Sequence, residues 1–107
     1  MTIIKFEPIY KERPWGGTVL KKRFNRKIHL ESDKIGESWE IVDRPEAQSI
    51  ISNTLNKGMS LRRLITEQSG SIMGPTWKKE SRFPVLVKWL DCSERLSLQV
   101  HPPLYIA

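Results

Sequence analysis

The side chains with most chemistry to offer stand near the end of the chain, in Leu96-Ser97-Leu98-Gln99-Val100-His101, where apolar and polar residues alternate strictly before Pro102-Pro103. In a β-strand, positions i, i+2 and i+4 share a face. Leu96, Leu98 and Val100 therefore make an apolar side, and Ser97, Gln99 and His101 a polar one. A Gln amide oxygen and a His imidazole two residues apart can point at one ion, the imidazole being a borderline donor suited to Zn²⁺ and the amide a neutral oxygen. The same alternation is what any strand with one wet face shows, so the pattern admits a metal-facing side and a merely solvated one. Lys88 is the second candidate, because it interrupts the apolar run Phe83-Pro84-Val85-Leu86-Val87-Lys88-Trp89-Leu90. An unpaired ammonium is costly to bury. Lys88 either meets an anion or snorkels to water along its own stem.

The elements that must position these residues can be read from local pattern. Phe83–Leu90 is rich in β-branched and aromatic residues and reads as a strand. Asp91-Cys92-Ser93-Glu94 has turn composition, so this strand and Leu96–His101 form an expected β-hairpin. Upstream, Ile3–Phe6 reads as a short extended start, Pro14-Trp15-Gly16-Gly17 as a turn, and Thr18–Phe24 as a helical turn. Gly36–Val42 alternates as a strand, with Trp39 and Ile41 on one face and Glu37 outside it; Ala47–Ser52 is a second strand, ending in the turn at residues 53–58. Ser60 is a good N-cap for a helix over Leu61–Gln68 that buries Leu61, Leu64 and Ile65 and ends at Gly70. Residues 71–82 read as irregular.

Composition limits what these elements can build. One hundred and seven residues with 38% apolar content amount to one small domain, since domains usually hold about 100–200 residues. Four Trp, three Phe and two Tyr argue against disorder. No apolar run approaches the ~20 residues of a membrane helix, so no membrane span is expected. The N-terminus carries no basic leader with a long apolar segment, and the lone Cys92 forms no internal disulfide; both point to the cytoplasm. The net charge of +6 and the cluster Lys21, Lys22, Arg23, Arg26 and Lys27 invite a nucleic-acid partner. Leu20 and Phe24, however, stand four apart, so a short helix buries both and leaves the basic residues solvated. No nucleic-acid-reading module accompanies the cluster, and the expected partners are anionic small molecules.

Four segments together carry a resemblance. Trp15-Gly16-Gly17, Gly36-Glu37-Ser38-Trp39, Phe83-Pro84-Val85-Leu86-Val87-Lys88 and Leu96-Ser97-Leu98-Gln99-Val100-His101-Pro102 occur in an order and spacing that resembles the type I mannose-6-phosphate isomerases, zinc enzymes of the cupin fold. The agreement runs from about Phe6 to His101 and covers the N-terminal portion of that family. It implies a mainly β chain whose residues 1–107 form a single partial domain, a cupin-like (jelly-roll, double-stranded β-helix) N-terminal segment with one or two short helices. It implies that Gln99 and His101 are the first two zinc ligands and that Lys88 and Ser97 lie in the substrate pocket and help to hold the phosphate; Trp15, Glu37 and Trp39 also match family motif residues and are read as scaffold, the tryptophans packing and Glu37 holding a turn or strand end by hydrogen bonds. The family reaction interconverts mannose 6-phosphate and fructose 6-phosphate by moving a proton between C1 and C2, and a divalent ion suits it as a Lewis acid.

The family site also needs a Glu, a second His and an Arg from later sequence, and this chain ends at Ala107, six residues after His101. Many members carry Asp-Asp after His-Pro, whereas His101-Pro102 is followed here by Pro103-Leu104-Tyr105, and His29, the only other histidine, has nothing to make it a ligand. The expectation is an isomerase whose metal site is completed outside this chain. The alternative is a non-catalytic sugar-phosphate-binding or interaction module on the same scaffold. A jelly roll cut at this point leaves strand edges unpaired, which favours self-association or pairing with a C-terminal segment.

Overall fold

The computed structural model describes residues 3–96 and 98. Its element order is β1 (Ile9–Gly17), α1 (Val19–Lys22), β2 (Ile35–Ile41), β3 (Asp43–Arg44), β4 (Ala47–Gln48), α2 (Leu61–Glu67), α3 (Ser69–Met73) and β5 (Val87–Leu90). The strands β1, β2 and β5 form one antiparallel sheet with β2 in the middle, and β3 and β4 make a small hairpin. Leu20, Ile35, Val42, Ile51, Leu61, Leu64 and Ile65 are the buried apolar core. The core thus draws on α1, the start of β2, the residue that follows it, the strand-like segment at Ile50 and Ile51, and α2. Ile50 and Ile51 make single antiparallel bridges to Ser60 and Phe6 instead of continuing a long strand.

The helix α2 forms for the local reason visible in its sequence. The Ser60 hydroxyl accepts a hydrogen bond from the Arg63 N–H at 3.1 Å, and Leu61, Leu64 and Ile65 are its buried stripe. Gly70 does not end it. Gln68 leaves the helical region at φ −129° and breaks the helix before Gly70 is reached; α3 then runs through Gly70, and Gly74, at φ +96°, is the residue whose left-handed backbone stops the chain's helical course. This third short helix occupies the start of a segment that composition alone left irregular.

Two further expectations change for tertiary reasons. Pro14–Gly17 is not a free turn but the bulged end of β1: the register passes from Glu12 opposite Ile35 to Gly17 opposite the same Ile35, and the Arg13 N–H donates to the Lys34 carbonyl at 3.0 Å. The bulge sits against β2 so closely that a Cβ on Gly36 would lie 2.6 Å from Arg13 Cβ and 2.8 Å from the Trp15 ring. Strand pairing in Phe83–Leu90 begins only at Val87. Pro84 has no N–H to give a ladder, and the Phe83 N–H is taken by the Asp43 carboxylate at 2.9 Å. The described partner of β5 is β2; Ser97 and residues 99–101, which form most of the other arm of the expected hairpin, lie outside the described residues.

The basic cluster is partly tied into the fold. Arg26 holds Glu40 through two hydrogen bonds, the shorter 2.6 Å, and the Ser38 hydroxyl at 2.7 Å, while Lys21 donates to the carbonyls of Leu30 and Ser32. Glu40's hydrogen bonds raise the Arg26 pKa further, against the effect of burial. Leu20 is buried as expected, but Phe24 is 42% exposed and meets the Trp89 ring edge-on at 5.6 Å. This sheet face, carrying Ser38, Glu40 and Trp89, is the one covered by the connection after α1.

Candidate functional site

The opposite face of the sheet holds the site. Positions 37, 39 and 41 of β2 share that face by the two-residue repeat, so Glu37 stands beside Trp39 and not outside its face as the sequence pattern suggests. Register then selects the neighbours: Lys88 is opposite Trp39, and Lys11 and Leu90 are opposite Glu37. Cross-strand partners present their side chains to the same face, a few ångströms apart. The β1 bulge brings Arg13 and Trp15 over the same place.

Glu37 is the centre of the arrangement. Its side chain is 7% exposed, and both oxygens are engaged: Oε2 accepts from Arg13 Nε at 2.6 Å, and Oε1 accepts from Lys88 Nζ at 2.7 Å and from Trp39 Nε1 at 3.0 Å. Burial pushes the Glu37 carboxyl up, but the hydrogen bonds from Lys88, Trp39 and Arg13 and the charge of Lys88 outweigh it and hold the group below the usual carboxylate range. It is therefore ionised at neutral pH. Lys88 thus meets an anion, and that anion belongs to the protein. Lys11 lies over the Trp39 ring at 4.7 Å and Lys88 at 6.0 Å, so the indole face turns toward positive charge from both neighbouring strands.

Above this ion cluster is a cavity of about 380 Å³ lined by Arg13, Trp15, Glu37, Lys88, Leu90 and Leu96, within the size range of small-molecule sites. Two cations and one carboxylate on its wall leave a net positive charge. The turn after β5 is fastened beneath it: the Asp91 carboxylate accepts from the Val19 N–H at 2.8 Å, the Asp91 N–H donates to the Gly36 carbonyl at 2.8 Å, and the Ser93 hydroxyl donates to the Gly16 carbonyl at 2.6 Å. A second buried carboxylate, Asp43, is separate from the cavity. It receives Arg62, Arg82, Gln48 and the Phe83 N–H, and so ties the segment that leads into β5 to β3 and α2.

Of the residues singled out in the sequence, Lys88 lines the cavity, while Ser97, Gln99 and His101 lie outside the described residues. Among the described residues no group of three His, Cys, Asp or Glu side chains comes together to hold a metal ion, and His29 stays exposed on the connection after α1. Trp15 and Trp39 do not only pack: one walls the cavity and the other donates to Glu37. Glu37 holds side chains and not a strand end. Arg13 was not singled out. Period-two alternation of Glu37 with Trp39 was a signal for the first; nothing local marks Arg13, because a bulge decides where it points. No described helix is long and apolar enough to cross a membrane.

Comparison with known proteins places this arrangement. The family model for phosphomannose isomerase type I, catalytic domain, matches residues 3–105. The mannose-6-phosphate isomerase ManA of Bacillus subtilis (strain 168) is 39% identical over 97 residues, 91% of this chain and 29% of that protein. The mannose-6-phosphate isomerase of Streptococcus mutans is 40% identical over 88 residues, 82% of this chain and 26% of that protein. The crystal structure of the mannose 6-phosphate isomerase from Bacillus subtilis superposes with a TM-score of 0.71 at 36% identity, covering 83% of this chain and 27% of that one. The mainly β fold described above is the fold of the corresponding part of that enzyme. The chain spans less than a third of the length of these relatives. With the match running over almost its whole length, the chain belongs to the type I phosphomannose isomerase family, as part of its catalytic domain.

Proposed function

We propose that residues 1–107 are a single partial, cupin-like domain that supplies the phosphate-binding wall of a zinc-dependent mannose 6-phosphate isomerase, interconverting that sugar with fructose 6-phosphate. The observation that carries the reading is the net-positive cavity lined by Lys88, whose ammonium is held at 2.7 Å by the buried Glu37 while 37% of its side chain stays exposed. Glu37 stops Lys88 from swinging away, and Lys88 and Ser97 bind the phosphate. Gln99 and His101 have the donor types zinc accepts, a neutral oxygen and an imidazole, and would supply two of its ligands, with the others from sequence outside this chain. When bound, the metal would orient the sugar oxygens and stabilise the charge that develops on them.

The sugar phosphate places this work in the cytoplasm, where the exposed Cys92 thiol stays reduced. All four residues of β5 are exposed, with Trp89 at 53% and Leu90 at 49%. Among the described residues β5 is an edge strand of the sheet, and such an edge suits a C-terminal segment of the catalytic domain or a second copy of this chain. Mixing this chain with the C-terminal two-thirds of the Bacillus subtilis ManA protein tests the reading: zinc retention and isomerase activity, read by a coupled fructose 6-phosphate assay, are expected. Failure of every such reconstitution refutes it.

A second reading is favoured by one observation: the described residues by themselves bring two cations and one carboxylate to the cavity wall. On that reading the chain is a non-catalytic sugar-phosphate-binding or interaction module. Sugar-phosphate binding by the isolated chain is then abolished by Lys88→Ala and indifferent to zinc.

A further inference from the structure

We propose that Arg13 is a second anion-binding cation of this cavity, forming with Lys88 a clamp for a phosphoryl dianion that Glu37 positions. The proposal rests on reading the cavity as the phosphate subsite, and adds to it a residue on a different strand.

Arg13 and Lys88 reach Glu37 at different oxygens, Oε2 and Oε1, so neither displaces the other, and the carboxylate fixes both heads at once. One carboxylate neutralises one cation. The second is surplus in a structural ion pair, yet it lines the cavity with 35% of its side chain exposed. Both heads keep donors in hand. An ammonium has three and a guanidinium five; among the described residues, Lys88 uses its ammonium only toward Glu37, and Arg13 uses Nε for Glu37 and Nη1 for the Glu12 carbonyl at 2.9 Å. The unused edge of the guanidinium is a planar donor pair of the kind that matches phosphate oxygens.

The backbone holds Arg13 in place independently of its side chain, since its N–H donates to the Lys34 carbonyl and the bulge is seated on Gly36. Lys11, over the Trp39 ring on the same face, adds a third positive charge against the single carboxylate. A dianionic phosphate monoester meets this balance; a neutral sugar gains nothing from it.

The test is a titration of the isotopically labelled 107-residue chain with inorganic phosphate, with mannose 6-phosphate and with mannose, read on backbone amide and arginine Nε–H signals. Both anions are expected to move the Arg13 Nε–H signal saturably, and mannose is expected to leave it in place. Arg13→Ala and Lys88→Ala should each weaken binding by about tenfold or more, the loss of one charge-assisted hydrogen bond. If Lys88→Ala abolishes binding and Arg13→Ala binds as wild type does, the clamp is overturned while the phosphate reading stands. If Arg13→Ala weakens binding and Lys88→Ala does not, the pairing of the two cations is overturned. Binding of inorganic phosphate without mannose 6-phosphate keeps the clamp and refutes the sugar-phosphate reading; no binding of either anion refutes both. Should Arg13→Ala lose its dispersed amide spectrum, Arg13→Lys, which keeps the charge without the planar edge, replaces it. That variant is expected to bind several-fold more weakly, and wild-type affinity in it overturns the role of Arg13.

Discussion

Glu37→Gln is the sharpest probe of the ion cluster, because the amide keeps the shape of the carboxylate and an acceptor for Trp39 but removes the charge that two cations share. A hydrogen bond to a charged group contributes about 1.5–3 kcal/mol when it is buried. Arg13 and Lys88 are each about a third exposed and regain part of their hydration when released, so about 1 kcal/mol for each is the appropriate figure. The substitution should therefore destabilise the fold by about 2 kcal/mol, a large share of the 5–15 kcal/mol that holds a domain of this kind together, roughly speaking. With a urea slope of about 2 kcal/mol per molar, the unfolding midpoint at pH 7 should fall by about 1 M.

The pH dependence separates charge from shape. The folded Glu37 pKa lies below the ordinary carboxylate value of about 4.5 that the unfolded chain keeps, so the unfolded chain binds more protons between the two and stability rises with pH there. The carboxylate's contribution is complete above the unfolded value and is lost as pH falls through the folded one. The gap between wild type and Glu37→Gln should accordingly be full at pH 7 and shrink toward zero in acid. Urea titrations followed by tryptophan fluorescence at several pH values measure it. An unchanged midpoint at pH 7, or a penalty that stays the same in acid, would refute the electrostatic account.

Three further outcomes follow from other parts of the structure. Asp43→Ala removes a fully buried carboxylate from two arginines, Gln48 and the Phe83 N–H; it should cost about 3 kcal/mol, allowing for the exposure of Arg82, and lower the melting temperature by about 15 °C in calorimetry. Gly36→Ala drives a methyl group into Arg13 and Trp15, so it should destabilise by about 1–3 kcal/mol and shift the Trp15 indole signal more than any signal of α2. Ser60→Ala leaves the Arg63 N–H without its cap and should cost about 1 kcal/mol in urea unfolding, with no effect on anion binding.

What could be read without the structure was local or carried by several motifs at once. The Ser60 cap and the stripe Leu61, Leu64, Ile65 specify α2 within one stretch of eight or so residues, because capping and helical spacing act over three or four positions. Trp39 and Ile41 mark β2 in the same way, and Lys88 stood out because a cation in an apolar run demands a partner. The family, too, was legible, since four short motifs in register are far more specific than any one of them.

Which partner Lys88 finds was decided only by tertiary structure. Glu37 is 51 residues from Lys88 and 24 from Arg13, and they meet because β2 pairs with β5 in one register and with β1 through a bulge. A strand's alternation tells which residues share a face, but the face of its neighbour depends on register, and a one-residue slip reverses it. The same long-range logic gives the Phe83 N–H to Asp43, 40 residues away, and so shortens β5. The amino-acid sequence by itself determined the short elements, the charge and the family; pairing between distant strands decided that its odd lysine, an unremarked arginine and a buried glutamate form one cavity wall.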